Sequence, residues 1–365
     1  MSVGLWMMTG AAAASLALSL LLTALAIRLA PRIGFVDRPG GHKSHFSPTP
    51  YGGGTAIFLS VFAPIAALLI GAYVLPEQTI ARWFGESAVA YAGGVAIRLK
   101  MALVVIAGGL ALHVMGLIDD VRPLGPYVKL LALLAVGIAL AIIGDIRLAQ
   151  FAGYGPSVAL TVVWFVVITN AFNFLDNMDG LSAGVATICM SFLAICGVLA
   201  GQVFVPLLAC LFVGAAAGFL VFNFPPARIF MGDAGSLFCG YMLVVVSILT
   251  TYYEGGRAAS PAAVVMPLVI LAVPLYDFIS VILIRISEGR NPMRGDQRHF
   301  SHRLVERGLT RRFAVLTIYL ATATTGLAAT LLPNATAAQT VTIAAIVLMV
   351  LAIVAILESP VRREA

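Results

Sequence analysis

Long apolar runs, each interrupted by a short polar cluster, repeat from one end of this chain to the other. The runs lie near 3–28, 54–75, 99–118, 127–144, 157–173, 182–200, 203–222, 237–253, 263–284, 313–332 and 339–357. A stretch of ~20 apolar residues makes a helix long enough to cross the hydrocarbon core of a bilayer, so the pattern predicts about eleven transmembrane helices. The expected fold is therefore all-α: a polytopic integral membrane protein forming a single transmembrane domain over residues 1–365. Met1-Ser2-Val3-Gly4 supplies no basic segment and no clear cleavage site follows, so the first run reads as a retained helix and not a removed signal.

Composition sharpens this picture. Hydrophobic residues make up 61% of the chain and charged residues only 10%, and the mean hydropathy is +1.02. That leaves no room for a soluble domain, and no nucleic-acid partner is expected. Cys189, Cys196, Cys210 and Cys239 all sit in apolar runs at spacings that suit neither zinc nor a disulfide framework, so they read as packed hydrophobes.

With the N-terminus outside, the basic residues gather on one side. Only Arg82, Arg98, Lys100, Arg147 and Arg257, of 22 Lys and Arg, fall in the outer loops. Positive residues mark the cytoplasmic face, which places the C-terminus inside and predicts a multi-pass protein of the inner (plasma) membrane. The aspartates follow the same side without any rule requiring it: only Asp145 is outside. An ion-coupled transporter, the rival reading from another class, would carry its carboxylates at mid-membrane depth. A one-sided arrangement suits a site that meets a charged soluble substrate at the cytoplasmic surface.

Five inner clusters carry candidate chemistry. In the first loop, Gly34 to Gly54, Pro and Gly deny a helix, while Lys43 and His45 can reach phosphate oxygens. The second is Asp119-Asp120 at the end of an apolar run, followed by Arg122 and Lys129. Carboxylates at the mouth of a membrane helix are costly unless compensated, and a divalent cation is the usual partner. Neighbours on a helix differ by about 100°, so one carboxylate can face a metal-bound substrate while the other meets a nucleophile or a lysine. In the third, Asn170, Asn173, Asp176 and Asp179 recur every three residues. That step drifts by about 60° in a regular helix, so a break is expected near Asp176–Gly180. The fourth runs from Asn223-Phe-Pro-Pro to Gly232-Asp233-Ala-Gly-Ser236, which puts Asp233 near a helix N-terminus, where capping and metal ligation are both open. The fifth begins at Pro274-Leu-Tyr-Asp277 and continues through a loop with eight arginines, including Arg298 and Arg303, and with His299 and His302. It reads as an anion trap, with phosphate or diphosphate contact favoured over metal ligation for the histidines. His113, inside the third run, reads as a satisfied core histidine.

Together and in this order, the clusters resemble the polyprenyl-phosphate N-acetylhexosamine-1-phosphate transferases, of the glycosyltransferase family 4 type, over roughly residues 30–310. The resemblance implies that Asp119 and Asp120 are the family's aspartate pair and that Lys129 contacts the lipid phosphate, helped by Lys43. It implies that Asn173, Asp176 and Asp179 bind the nucleotide sugar and that Asp233 holds magnesium, with Asp120 or Asp119 assisting. His299 and His302 match the outer members of the family's histidine motif and are expected on the diphosphate with Arg298 and Arg303; Asp119, Asp120, Asp233, His299 and His302 form the implied catalytic set. Ser301 stands where many relatives that use UDP-GlcNAc have a further histidine, and the triple histidine of the peptidoglycan branch is absent. The UDP-GlcNAc branch is therefore the closer match, with another UDP-amino sugar or UDP-MurNAc-pentapeptide as the alternative donor. The implied reaction moves N-acetylhexosamine-1-phosphate from the UDP-sugar to undecaprenyl (polyprenyl) phosphate within a lipid bilayer and releases UMP. Magnesium is the implied cofactor, with manganese able to substitute, and a homodimer is left open.

Overall fold

A computed structural model describes residues 3–37, 48–250, 261–291 and 298–359. Fifteen α-helices follow in order among them: α1 (Val3–Leu29), α2 (Gly53–Val74), α3 (Glu77–Phe84), α4 (Glu86–Ile97), α5 (Leu99–Val121), α6 (Pro126–Ile142), α7 (Tyr154–Leu175), α8 (Leu181–Leu199), α9 (Phe204–Asn223), α10 (Gly232–Thr250), α11 (Pro261–Ile270), α12 (Ala272–Ser287), α13 (Phe300–Glu306), α14 (Arg311–Ala329) and α15 (Ala337–Glu358). A two-residue antiparallel ladder, β1 (Val36–Asp37) with β2 (Thr49–Pro50), closes the base of the first loop.

Nine described helices are long and apolar enough to cross a membrane. Two of the eleven expected spans fall outside that set. The 127–144 run is the shorter α6, of 17 residues. The 263–284 run is two helices, α11 and α12, meeting at Leu271. Pro274 has no N–H to offer the carbonyl of Ile270, so the ladder is interrupted there. The buried Cys189 thiol donates to that Ile270 oxygen at 3.4 Å, which gives a packed cysteine a definite task. The expected break after Asn173 is present. α7 stops at Leu175 and α8 starts at Leu181, with Gly180 in the left-handed region at φ 74°.

Helix α10 is the central post. Every residue from Ala234 to Thr250 is buried, and α2, α5, α7, α8 and α9 pack around it. Its first turn is approached so closely that side chains are excluded. A Cβ on Gly116 of α5 would lie 2.4 Å from the Ala234 Cα, and one on Gly54 of α2 would lie 2.3 Å from the Gly235 N. Small residues at such crossings replace the hydrophobic driving force that lipid removes. An apolar cavity of about 450 Å³ separates α11 and α12 from α15, and Leu275, Ile279, Val347 and Leu351 are among its lining residues.

Candidate active site

The N-terminus of α10 is where the distant clusters meet. The backbone there is stitched before any side chain is considered. Gly53 N donates to the Phe230 carbonyl and Gly54 N to that of Met231, both at 3.1 Å, while Phe230 N donates to Pro50 at 2.9 Å. The start of α2, the base of the first loop and the segment before α10 thus form one floor.

The two adjacent aspartates at the end of α5 diverge, as their angular offset requires. Asp120 turns to α10: its Oδ1 accepts from Asp233 N at 2.7 Å and its Oδ2 from Ala234 N at 3.3 Å. It supplies the N-terminal cap that α10 would otherwise lack, although it is more than a hundred residues away in sequence. Asp119 turns the other way. Its Oδ1 accepts from Leu124 N at 2.6 Å, and its Oδ2 accepts from Lys129 Nζ at 2.6 Å. Lys129, at the start of α6, also donates to Asp233 Oδ2 at 2.6 Å. One ammonium therefore bridges carboxylates from α5 and α10, each of the three side chains being largely but not fully buried.

The loop between α7 and α8 brings a further carboxylate. Asp176 accepts no hydrogen bond from the described residues. Burial, and then the charges of Asp233, Asp120 and Asp179, push its pKa well above the usual carboxylate range. Asp179 is employed differently: its Oδ2 accepts from Ala227 N at 2.9 Å. Asn173 donates to Ser236 of α10 at 3.0 Å. Asn223, just before Pro225-Pro226, accepts from Gly180 N at 2.9 Å and donates to the Ile229 carbonyl at 2.8 Å, which locks the two loops together.

Asp119 and Asp233 thus share one ammonium, while Asp120 is held by the amides of Asp233 and Ala234 and Asp176 feels the charges of Asp233 and Asp120. Among the described residues no three His, Cys, Asp or Glu side chains stand close enough to hold an ion unaided. Magnesium ordinarily takes one or two carboxylates and fills its octahedron with water and substrate phosphates, so a cluster with excess negative charge and one unpartnered carboxylate fits such an ion in company with a phosphate ligand.

The histidine motif enters from α13. His299 stands at the N-cap position of that helix, makes no capping bond with its side chain, and is 4% exposed. Its Nδ1 lies 3.0 Å from Asp277 Oδ2, and Phe300 N donates to Asp277 Oδ1 at 2.6 Å. Ser301 donates to Asn177 Oδ1 at 2.5 Å, tying α13 to the loop that carries Asp176. The pKa of His302 is lowered by burial, with His299 and Arg311 adding to the effect. Arg303 is directed elsewhere: its Nη2 donates to both Glu358 carboxylate oxygens at 2.9 Å and to Ser280 at 2.9 Å, and its Nη1 donates to the Arg298 carbonyl. Arg298 itself pairs with Glu288 at 3.1 Å. Lys43 and His45 lie outside the described residues. His113 is the satisfied core histidine expected, with Nδ1 3.2 Å from the Ala234 oxygen and its ring stacked on Phe58 at 4.4 Å.

Three participants carried too weak a sequence signal to be assigned a role. Tyr51 hydrogen bonds to Asp37, and burial together with the fields of Asp37, Asp120 and Asp176 pushes its pKa up. Asp277 is a lone acid in an apolar helix, and Glu358 is the last residue of α15. The only cue available for Asp277 was the cost of a carboxylate in an apolar run.

Comparison with known proteins decides the lineage. A family model described as glycosyl transferase family 4 matches residues 102–251. The probable undecaprenyl-phosphate N-acetylglucosaminyl 1-phosphate transferase of Bacillus subtilis is 33% identical over 84% of this chain and 79% of its own length. This chain belongs to glycosyl transferase family 4. A second member, the decaprenyl-phosphate N-acetylglucosaminephosphotransferase of Mycolicibacterium smegmatis, is 35% identical over 80% of this chain and 74% of its own length. The undecaprenyl-phosphate alpha-N-acetylglucosaminyl 1-phosphate transferase of Escherichia coli O157:H7 is 26% identical over 81% and 76%. The segment matched by the family model runs from α5 to the end of α10 and so contains the whole acidic cluster, whereas Asp277 and α13 lie beyond it.

Proposed function

We infer that this chain transfers N-acetylglucosamine-1-phosphate from a UDP-linked donor to a polyprenyl phosphate, with release of UMP. The observation that carries the reading is the Asp119–Lys129–Asp233 ion-pair trio at the start of α10, with Asp120 bonded to the same turn and Asp176 within its field, in a member of this family. Both substrates are anionic, and an unassisted approach would be repulsive. Lys129 offers one ammonium that can pass from its carboxylate partners to an arriving phosphate. Asp120 holds the first turn of α10 in place, so Asp233 is presented from a rigid element. Magnesium, held through Asp233 with Asp120 or Asp176 and the donor's phosphates, would supply Lewis acidity to the diphosphate, and manganese would substitute. The acceptor phosphate, with a second pKa near 6, is already largely dianionic at pH 7. The aspartate pair is therefore read as positioning charge and not as a required base.

The distribution of Lys and Arg supports a site at the cytoplasmic face of the plasma membrane, with the N-terminus outside and the C-terminus inside. The two helices α11 and α12 together support a further crossing, and α6 another, which keeps about eleven spans as the working topology. The test is UMP release by detergent-purified protein given magnesium, undecaprenyl phosphate and UDP-GlcNAc. A signal abolished by Asp233→Ala supports the assignment. Turnover with another UDP-amino sugar but not with UDP-GlcNAc would move the donor, and no turnover with any of them would end the reading.

A further inference from the structure

The acid that no part of this reading uses is Asp277. It is 1% exposed, yet among the described residues it pairs with no lysine or arginine; its two oxygens are divided between His299 Nδ1 and the amide of Phe300. A carboxylate this deeply buried is expensive, and a helix cap alone can be made by serine or asparagine at lower cost. The His299 side chain forms no other hydrogen bond among the described residues. Its ring meets Phe174 edge-on at 5.6 Å, which fixes the ring plane from the α7 side.

We propose that Asp277 is a positioning residue that holds His299 with the proton on Nδ1, and so dedicates Nε2 to the diphosphate of the nucleotide donor. The inference rests on the transferase reading above. A carboxylate can only accept, so Nδ1 must donate, and Nε2 is left as the ring nitrogen free to meet a ligand. In the imidazolium, Nε2–H is a charged donor to phosphate oxygen. The other ionisable groups around His299 are His302, one turn along α13, and Arg285 of α12, whose guanidinium lies 5.0 Å over the Phe174 ring. Neither accepts a hydrogen bond from Nδ1; Asp277 does.

Asp277→Asn separates the two tasks of this carboxylate. The amide oxygen still caps Phe300 N, which leaves the NH2 group facing Nδ1. That donor forces the proton to Nε2 and excludes the imidazolium. The experiment combines three readouts on the full-length protein in detergent. Ring ¹⁵N shifts of labelled histidine, with His299 assigned by its loss in His299→Gln, report tautomer and charge whether or not the protein turns over. The value of kcat/KM for UDP-GlcNAc at pH 7 reports the consequence. The double variant with His299→Gln reports the coupling. The expected results are an Nδ1-protonated ring in the native protein, and a 10–100-fold fall in kcat/KM for Asp277→Asn at pH 7, as for other carboxylates that orient a working histidine. No further loss is expected when Asp277→Asn is added to His299→Gln. Full activity in Asp277→Asn would reduce the residue to a cap, and an undiminished loss in the His299→Gln background would show that it acts elsewhere; either result overturns the proposal. If Asp277→Asn fails to fold, Asp277→Glu, which keeps the acceptor and the charge, must retain the native tautomer and most of the activity. A neutral ring in the native protein with its single proton on Nε2 sinks the idea outright. Absence of UMP release in the native protein, with the tautomer as expected, would instead count against the transferase reading.

Discussion

Lys129 can be removed with a consequence that follows from two distances. Its Nζ is 2.6 Å from Asp119 Oδ2 and 2.6 Å from Asp233 Oδ2, so those oxygens are at most about 5 Å apart. Two unit charges at that separation repel by about 3 kcal/mol at an effective dielectric of 20. The three side chains keep 24%, 12% and 25% of their exposure, and water reduces the penalty to about 1–3 kcal/mol. Lys129→Gln should therefore melt several degrees lower than the native protein in EDTA. The vacated place between two carboxylates is also a better cation site than the native one. Added magnesium should accordingly raise the melting temperature of Lys129→Gln by more than that of the native protein, while UMP release falls by roughly 10²-fold, the usual loss for one charge-stabilising donor. Thermal unfolding in detergent against magnesium concentration, alongside the activity assay, measures both. An unchanged melting temperature in EDTA with an unchanged magnesium response would refute the claim that one ammonium neutralises this pair.

Three other perturbations probe separate parts of the argument. Asp120→Ala removes both acceptors from the first turn of α10 and should cost about 1–2 kcal/mol, whereas Asp120→Asn, which keeps an acceptor, should cost less; equal losses in thermal unfolding would contradict the capping role. Asp176 has a folded pKa raised above its unfolded value, so it adds stability below about pH 4 and that contribution is lost as pH rises through the raised value. Asp176→Asn should then stabilise the metal-free protein at pH 7.5 and leave it little changed near pH 4, while destroying activity; a lower melting temperature at pH 7.5 would argue the reverse. Glu358→Ala strands the Arg303 guanidinium and should cost roughly 3 kcal/mol. Replacing both partners by methionine should recover most of that loss, and no recovery would mean that the residues act separately.

The apolar runs, their lengths and their polar interruptions were legible because a bilayer leaves the chain few choices: a buried peptide group must bond within its own helix. The same austerity exposed Asp119, Asp120, Asp176 and Asp233, since acids in so apolar a chain have few uses. What the sequence could not specify was how each acid is employed. Nothing in the order of residues says that Asp120 caps α10 while its neighbour binds Lys129, or that Arg303 is turned to Glu358 at the end of the last helix. Nor does it single out Asp277 as the partner of His299. Those assignments depend on which backbone amides and charges come within about 3 Å once the helices have packed. Hydrogen bonds and ion pairs are short-ranged and are fixed by tertiary contact, whereas the burial of apolar surface is written into local composition.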